Sequence, residues 1–170
     1  MSAPVTYSIS GVFMMTIQWK KLLICLGIPL GVGGLSALLT AGAMEDFAAL
    51  EQPPLSPPGW LFPVVWTVLF LLMGLASYLV VTSDGSHRLI NRALSVYGAQ
   101  LAVNFFWSIL FFNLKAYLLA FLWLLLLWVL IAVTLRRFGL LRPAAGWLLV
   151  PYLAWVTFAG YLNLGIYLLN

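Results

Sequence analysis

The sequence predicts an all-α fold, an integral membrane bundle of five transmembrane helices. Three observations predict it. Of the 170 residues, 64% are hydrophobic and only 7% are charged. A soluble domain carries about 25% charged residues, so this chain cannot cover a water-facing surface. Five apolar runs reach the roughly 20 residues that a spanning helix needs: residues 22–44, 59–82, 91–113, 116–135 and 146–169. The alternating segments of about 10 residues that mark a membrane β-barrel are absent. The runs fill residues 22–170 as one membrane domain, preceded by an N-terminal extension over residues 1–21.

The first run follows Lys20-Lys21 and ends near Ala41-Gly42-Ala43, which formally resembles a cleavable signal peptide. Signal cores run about 7–15 residues. The stretch 22–39 is longer and reads as a retained span, with Met14 or Met15 as an alternative start. Cys25 is the only cysteine, so the chain forms no internal disulfide and no thiol metal site. It reads as a small apolar filler. Gly27, Gly31 and Gly34 recur at near-helical spacing, and Gly98 and Ala102 form a second small-residue pair on the third run. Such residues let helix backbones approach closely, either inside the bundle or at a dimer seam.

The second run opens at Pro57-Pro58-Gly59-Trp60. Ser56 reads as a helix cap and Pro57 as the first helical residue, where a missing N–H costs nothing. Pro29 and Pro151 fall inside the first and fifth runs, where each removes a backbone hydrogen bond and shapes the helix. The freed carbonyl needs another partner in lipid. The longest connection lies between the first two runs. The others are short, which predicts that successive helices are antiparallel neighbours.

Charge gives an orientation. Lys20, Lys21, Arg88, Arg92, Arg136, Arg137 and Arg142 all fall on one side of a five-span chain, and Lys115 alone on the other. The positive-inside rule places the basic side in the cytoplasm. The N-terminus is then inside, the C-terminus outside, and the acidic loop with Glu45, Asp46 and Glu51 outside. A helical span set favours a bacterial inner membrane. The net charge of +4 is thus a topology signal. No basic soluble face exists for nucleic acid.

The chemical inventory is thin. His87, the sole histidine, sits in a loop beside Arg88 and reads as solvated. No acid or base lies clearly within a span, which argues against a proton-coupled pump. There is no paired-carboxylate site, phosphate-binding glycine loop or activated nucleophile. The polar residues inside the spans say more. Gln100, Asn104 and Ser108 are four apart, and Trp107 and Phe111 continue the same broad face. A buried amide is costly unless hydrogen-bonded, so Gln100 and Asn104 either tie helices together or reach a ligand. Tyr152, Trp155, Ala159 and Asn163 form a similar series on the fifth run. Phe62, Trp66, Phe70, Met73 and Ser77 share a face of the second. Trp66 and Trp155 lie inside the membrane, where each indole N–H asks for a partner. A concave site lined by rings with a few fixed polar groups is the expected form of a small-molecule pocket. Flat walls suit a tetrapyrrole or a sterol.

Several segments, in order across all five runs, carry a resemblance. They are Leu50-Glu51-Gln52-Pro53, Pro57-Pro58-Gly59-Trp60-Leu61-Phe62-Pro63-Val64-Val65-Trp66-Thr67, Met73-Gly74-Leu75-Ala76, Gln100-Leu101-Ala102-Val103-Asn104-Phe105-Phe106-Trp107, and Pro151-Tyr152-Leu153-Ala154-Trp155-Val156-Thr157-Phe158-Ala159-Gly160-Tyr161-Leu162-Asn163. Over residues 33–170 the chain resembles the TspO/translocator protein family. The resemblance implies a five-helix bundle, often a homodimer, with a pocket under the first loop that takes porphyrins such as protoporphyrin IX, sterols or drug-like ligands. No obligatory cofactor is implied. Carried over by motif, Pro57, Trp66, Asn104, Trp107, Trp155 and Ala159 line that pocket. Trp66 and Trp155 would be the redox-active pair if the chain, like some bacterial members, degrades porphyrin in light.

The chain departs from the family pattern in two places. Asp46-Phe47 stands where the family has Trp-Tyr, so a phenolic hydroxyl is lost at Phe47. The sterol pattern of the last helix has Leu162 and Tyr167 but no following Lys or Arg, which sets cholesterol-specific binding in doubt. Phe47, Gln100 and Phe111 complete the expected lining. Lys115, the lone cation on that side, is expected to hold an anionic ligand group. Three readings stay open: a porphyrin sensor or transport-related regulator, a tryptophan-assisted photo-oxidative enzyme, and a small-molecule carrier.

Overall fold

A computed structural model describes residues 17–43, 46–47 and 49–170. Residues 1–16 of the expected N-terminal extension, with the alternative starts Met14 and Met15, lie outside the described residues, as does Glu45. Helix α1 is Trp19–Thr40, continued by a 3-10 turn at Ala41–Ala43. Helix α2 is Leu61–Val81 and α3 is His87–Ser108, extended by a π turn at Ile109–Asn113. Helix α4 is Tyr117–Leu141, the short α5 is Pro143–Trp147, and α6 is Val150–Leu169. Among the described residues there is no strand. Five helical stretches, Trp19–Ala43, Leu61–Val81, His87–Asn113, Tyr117–Leu141 and Pro143–Leu169, are long and apolar enough to cross a membrane. This is the all-α membrane bundle that the composition predicts.

The helices close into a ring. Helix α1 packs along α2, α3 along α4, and α4 along α6, while α1 also meets α3 and α5 wedges against α4 and α2. Helices α2 and α3 share only a narrow contact despite their short loop. Adjacency in sequence therefore does not give adjacency in space at this one step, because α1 takes the place beside α3. The seven basic residues other than Lys115 all lie at the end of the bundle where α1 and α3 begin and α4 ends. Lys115 lies at the opposite end, between the π turn and α4.

Close approach is set by glycines other than those singled out above. A Cβ on Gly74 would stand 2.8 Å from the Cys25 carbonyl oxygen and from Leu26 Cα. Only glycine lets α2 lie this near the α1 backbone. A Cβ on Gly146 would stand 2.9 Å from Gly139 Cα, which seats α5 on α4. Gly27, Gly31, Gly34 and Gly98 have nothing within 4 Å of a Cβ, so of the two roles left open for them, packing inside this bundle is not theirs.

Two proline expectations change. Ser56 does not cap α2, which starts at Leu61 with Leu61 N–H donating to Pro58 O at 2.9 Å. A helix starting after Ser56 would put prolines at its first two positions, and Pro58 has no N–H for a cap to accept from. The Ser56 hydroxyl turns back instead to Pro53 O at 2.8 Å. Pro151 does not interrupt a continuous helix either. The fifth span breaks at Leu148 and Leu149, and Pro151 lies in the first turn of α6, where its missing N–H removes no bond. Pro29 does lie inside α1, buried.

Candidate ligand cavity and membership of a family

At the Lys115 end the ring surrounds a half-open cavity of about 160 Å³. Four helices and the first loop line it. Helix α2 gives Phe62, Pro63, Trp66 and Phe70, and α3 with its π turn gives Asn104, Trp107, Ser108, Phe111 and Phe112. Helix α6 contributes Ala159, Leu162, Asn163 and Ile166, and the loop contributes Phe47. The α1 wall is Gly33, Ser36, Ala37 and Thr40. A Cβ on Gly33 would collide with the Phe70 ring, so glycine here gives that ring its place. These α1 residues fall at i, i+3, i+4 and i+7, one helical face. That stripe of small and hydroxyl side chains was the signal available for a wall that sequence reasoning missed.

The rings form a continuous surface. Trp66 lies 5.6 Å from Phe70, 6.2 Å from Trp107 and 6.1 Å from Tyr152 between ring centroids. Trp107 stacks on Phe111 at 5.4 Å. The π turn brings the consecutive residues Phe111 and Phe112 both to the cavity, their rings 4.9 Å apart. π turns of this kind recur at functional sites. Phe47 closes the mouth, with its ring 6.0 Å from Phe62, 5.9 Å from Phe111 and 5.5 Å from Phe112.

Beneath the rings lies a polar floor. Asn104 Nδ2 donates to the Tyr152 hydroxyl at 2.8 Å, and Gln100 Nε2 reaches the same oxygen at 3.4 Å. Both amides thus tie α3 to α6, as one reading of them required. Asn104 in addition faces the cavity, while Gln100 is fully buried below it. The Trp107 indole N–H donates to Asn163 Oδ1 at 3.2 Å, and Asn163 Nδ2 donates to Tyr117 O at 2.8 Å. One side chain therefore joins α6, α3 and the start of α4.

The structure brings Phe47, Trp66, Asn104, Trp107, Phe111 and Ala159 together in the lining and leaves four expected residues outside it. Gln100 is in the floor. Pro57 is half-buried in the loop before α2. Trp155 stands behind Phe62, ring centroids 5.9 Å apart, and lines an outward groove between α2 and α6 with Val64, Val68 and Phe158. Its indole N–H is buried without a partner. Lys115 lies over the rim and pairs with Asp46 at 2.9 Å. The Asp46 carboxylate, by hydrogen bond and then by charge, raises the Lys115 ammonium above the usual lysine value.

The loop is strapped to the end of α6. Glu51 N–H donates to Asn170 Oδ1 at 3.0 Å, the Tyr161 hydroxyl donates to Pro54 O at 2.7 Å, and Gln52 Nε2 holds Phe47 O at 3.0 Å. Pro53 sits on Gly165, where a Cβ would come within 2.6 Å of it.

Five spans, a ring-lined cavity under the first loop and the ordered motifs on its walls meet a decisive comparison. The TspO/MBR family model matches residues 25–169. The chain belongs to the TspO/MBR family. It is 38% identical to the tryptophan-rich protein TspO of Chlorobaculum tepidum over 154 residues, covering 90% of this chain and 98% of that protein. It is 39% identical to the tryptophan-rich sensory protein of Cereibacter sphaeroides, over 77% of this chain and 83% of that protein. It is 37% identical to the translocator protein of Bos taurus, over 77% and 79%. This TspO/MBR chain is thus an integral membrane protein.

Proposed function

We propose that this TspO/MBR protein binds a flat, largely apolar ligand, a porphyrin such as protoporphyrin IX, in the cavity under its first loop. It would act as a tetrapyrrole sensor or transport-related regulator. The observation that carries the reading is the wall of Trp66, Phe70, Trp107, Phe111 and Phe112 beside two fixed amides, Asn104 and Asn163. Ring faces with a few fixed polar groups are how apolar pockets hold and orient planar ligands. The test is titration of the purified protein with protoporphyrin IX, followed by tryptophan fluorescence. Saturable quenching that weakens in Trp66→Phe supports the reading, and linear, non-saturating quenching sinks it.

A second reading, light-dependent oxidation of the bound porphyrin, is favoured by one observation. Trp66 presents its indole at the cavity and touches the oxidisable rings of Trp107 and Tyr152. Trp155, the other expected redox residue, would act from behind Phe62. Illumination of the complex separates the two roles. Loss of the porphyrin spectrum that stops in Trp66→Phe but persists in Trp155→Phe favours an enzyme with a single essential tryptophan.

A homodimer is supported by Gly27, Gly31 and Gly34 on α1 and Gly98 and Ala102 on α3, which face outward on neighbouring helices. Bulky Gly31→Ile should then shift the protein towards monomer in sedimentation measured in detergent. Lys20, Lys21 and the arginines support a cytoplasmic N-terminus, and the helical span set favours a bacterial inner membrane.

A further inference from the structure

We infer that Asp46 is a built-in competitor for the anionic group of the ligand. In the free protein its carboxylate occupies Lys115, and a carboxylate-bearing ligand takes Lys115 over. The inference rests on the cavity being the ligand site, and it names the ligand class: a planar apolar body carrying a carboxylate at its edge.

Placement is the first support. Asp46 adjoins Phe47, the ring that closes the mouth, and Lys115 follows the π turn that carries Phe111 and Phe112. The 2.9 Å pair therefore stands beside the Phe47 ring and the turn of Phe111 and Phe112 that line the cavity. Lys115 is held there by its backbone. Its φ is 51°, in the left-handed region that non-glycine residues rarely occupy, and Ala116 N–H closes the turn onto Leu110 O at 3.0 Å. A residue kept in so sparse a conformation is over-determined by its surroundings, which is common where a side chain has a task.

Charge is the second support. Lys115 is the only Lys or Arg at this end of the bundle, and the first loop at the same end carries the acidic Asp46 and Glu51. An anionic ligand has one cation to use, and that cation is already paired. The side chains of the pair are 53% and 61% exposed. Exposed pairs are weak and easily exchanged, so Asp46 lowers affinity only modestly, by the fraction of molecules in which Lys115 is engaged. Size is the third support. A cavity of about 160 Å³ is smaller than the roughly 300 Å³ at which sites for drug-sized ligands begin. A planar ligand of drug size therefore cannot lie wholly inside, and its edge reaches the rim that carries Lys115.

The test compares protoporphyrin IX with its dimethyl ester, which has the same ring and no charge. Both are titrated by tryptophan quenching into wild type, Asp46→Asn, Lys115→Gln and the double variant, in salt of about 0.01 M and about 1 M, where the screening length falls from roughly 30 Å to roughly 3 Å. Asp46→Asn should tighten the diacid about threefold to fivefold in low salt, the scale of an exposed ion pair, and leave the ester unchanged. Lys115→Gln should weaken the diacid and abolish the gain from Asp46→Asn. Both effects should vanish in high salt. Equal gains for diacid and ester would overturn the inference, since Asp46 would then act only through the plug. So would a loss of diacid affinity in Asp46→Asn, or a diacid indifferent to Lys115→Gln. Saturable binding of both compounds with any of these results leaves the cavity reading standing. Absence of binding in every variant overturns that reading and the inference together.

Discussion

Trp107 and Asn163 meet across the cavity wall, the indole N–H donating to the amide oxygen at 3.2 Å. Both are buried, and the Asn163 amide nitrogen goes on to the carbonyl of Tyr117. Two walls and the start of a helix that does not line the cavity are therefore fixed by one side chain.

Asn163→Leu should destabilise the protein by about 1–2 kcal/mol. It strands a buried indole donor and a helix-start carbonyl, and interhelical polar contacts in membranes contribute on this scale. Thermal unfolding followed by circular dichroism in detergent checks this. An unchanged melting temperature would show that water or lipid replaces the amide.

Tyr152→Phe keeps the ring beside Trp66 but removes the oxygen that accepts from Asn104 and Gln100. The expected cost is about 1–3 kcal/mol for two amide donors left buried. Porphyrin affinity should fall as well, because Asn104 loses the bond that orients it in the floor. Fluorescence titration beside a melting curve separates the two effects. A stable variant with unaltered affinity would mean that Asn104 is positioned by something other than Tyr152.

Gly74→Ala should cost about 1–3 kcal/mol, as overpacking does, because its methyl would meet the α1 backbone and not a mobile side chain. Gly98→Ala, with open space around it inside one protomer, should change the stability of the monomer by no more than about 0.5 kcal/mol. Measured in parallel, the pair separates close helix approach from a general dislike of losing glycine.

Phe47→Ala removes the ring that meets Phe62, Phe111 and Phe112 at the mouth. Association of protoporphyrin IX should become several-fold faster in stopped-flow quenching, while Phe47→Tyr should leave it near wild type. An association rate unaffected by Phe47→Ala would place the route into the cavity elsewhere, for example through the groove beside Trp155.

Much of this bundle was legible in the sequence because lipid imposes long apolar runs and leaves few alternatives to helices. The same constraint exposed Asn104, Trp107 and Asn163, since polar atoms in hydrocarbon must find partners. Which partners they find depends on tertiary packing. Tyr152 stood in the right series, but nothing in its spacing told that two amides converge on its hydroxyl. Phe112 was missed because helical periodicity assumes a constant turn, and the π turn at Ile109–Asn113 breaks it. The α1 wall was missed because small side chains read as packing surface, whereas their lack of bulk leaves the cavity open. Lys115 was picked out by charge counting, yet its pairing with Asp46 depends on a left-handed turn. Pro151 read as a kink because the helix break two residues earlier carries no proline or glycine of its own.

The π turn also uncouples the two halves of the third span. Gln100, Asn104 and Trp107 keep one rotational phase, set by their bonds to α6, and Phe111 and Phe112 keep another, set by the extra residue in the turn. Side chains at the rim can be exchanged for larger, smaller or more polar ones without rotating the anchors below. A single-residue deletion within Ile109–Asn113 would do the opposite, turning every later rim position by about 100° and pointing the aromatic mouth away from its own floor.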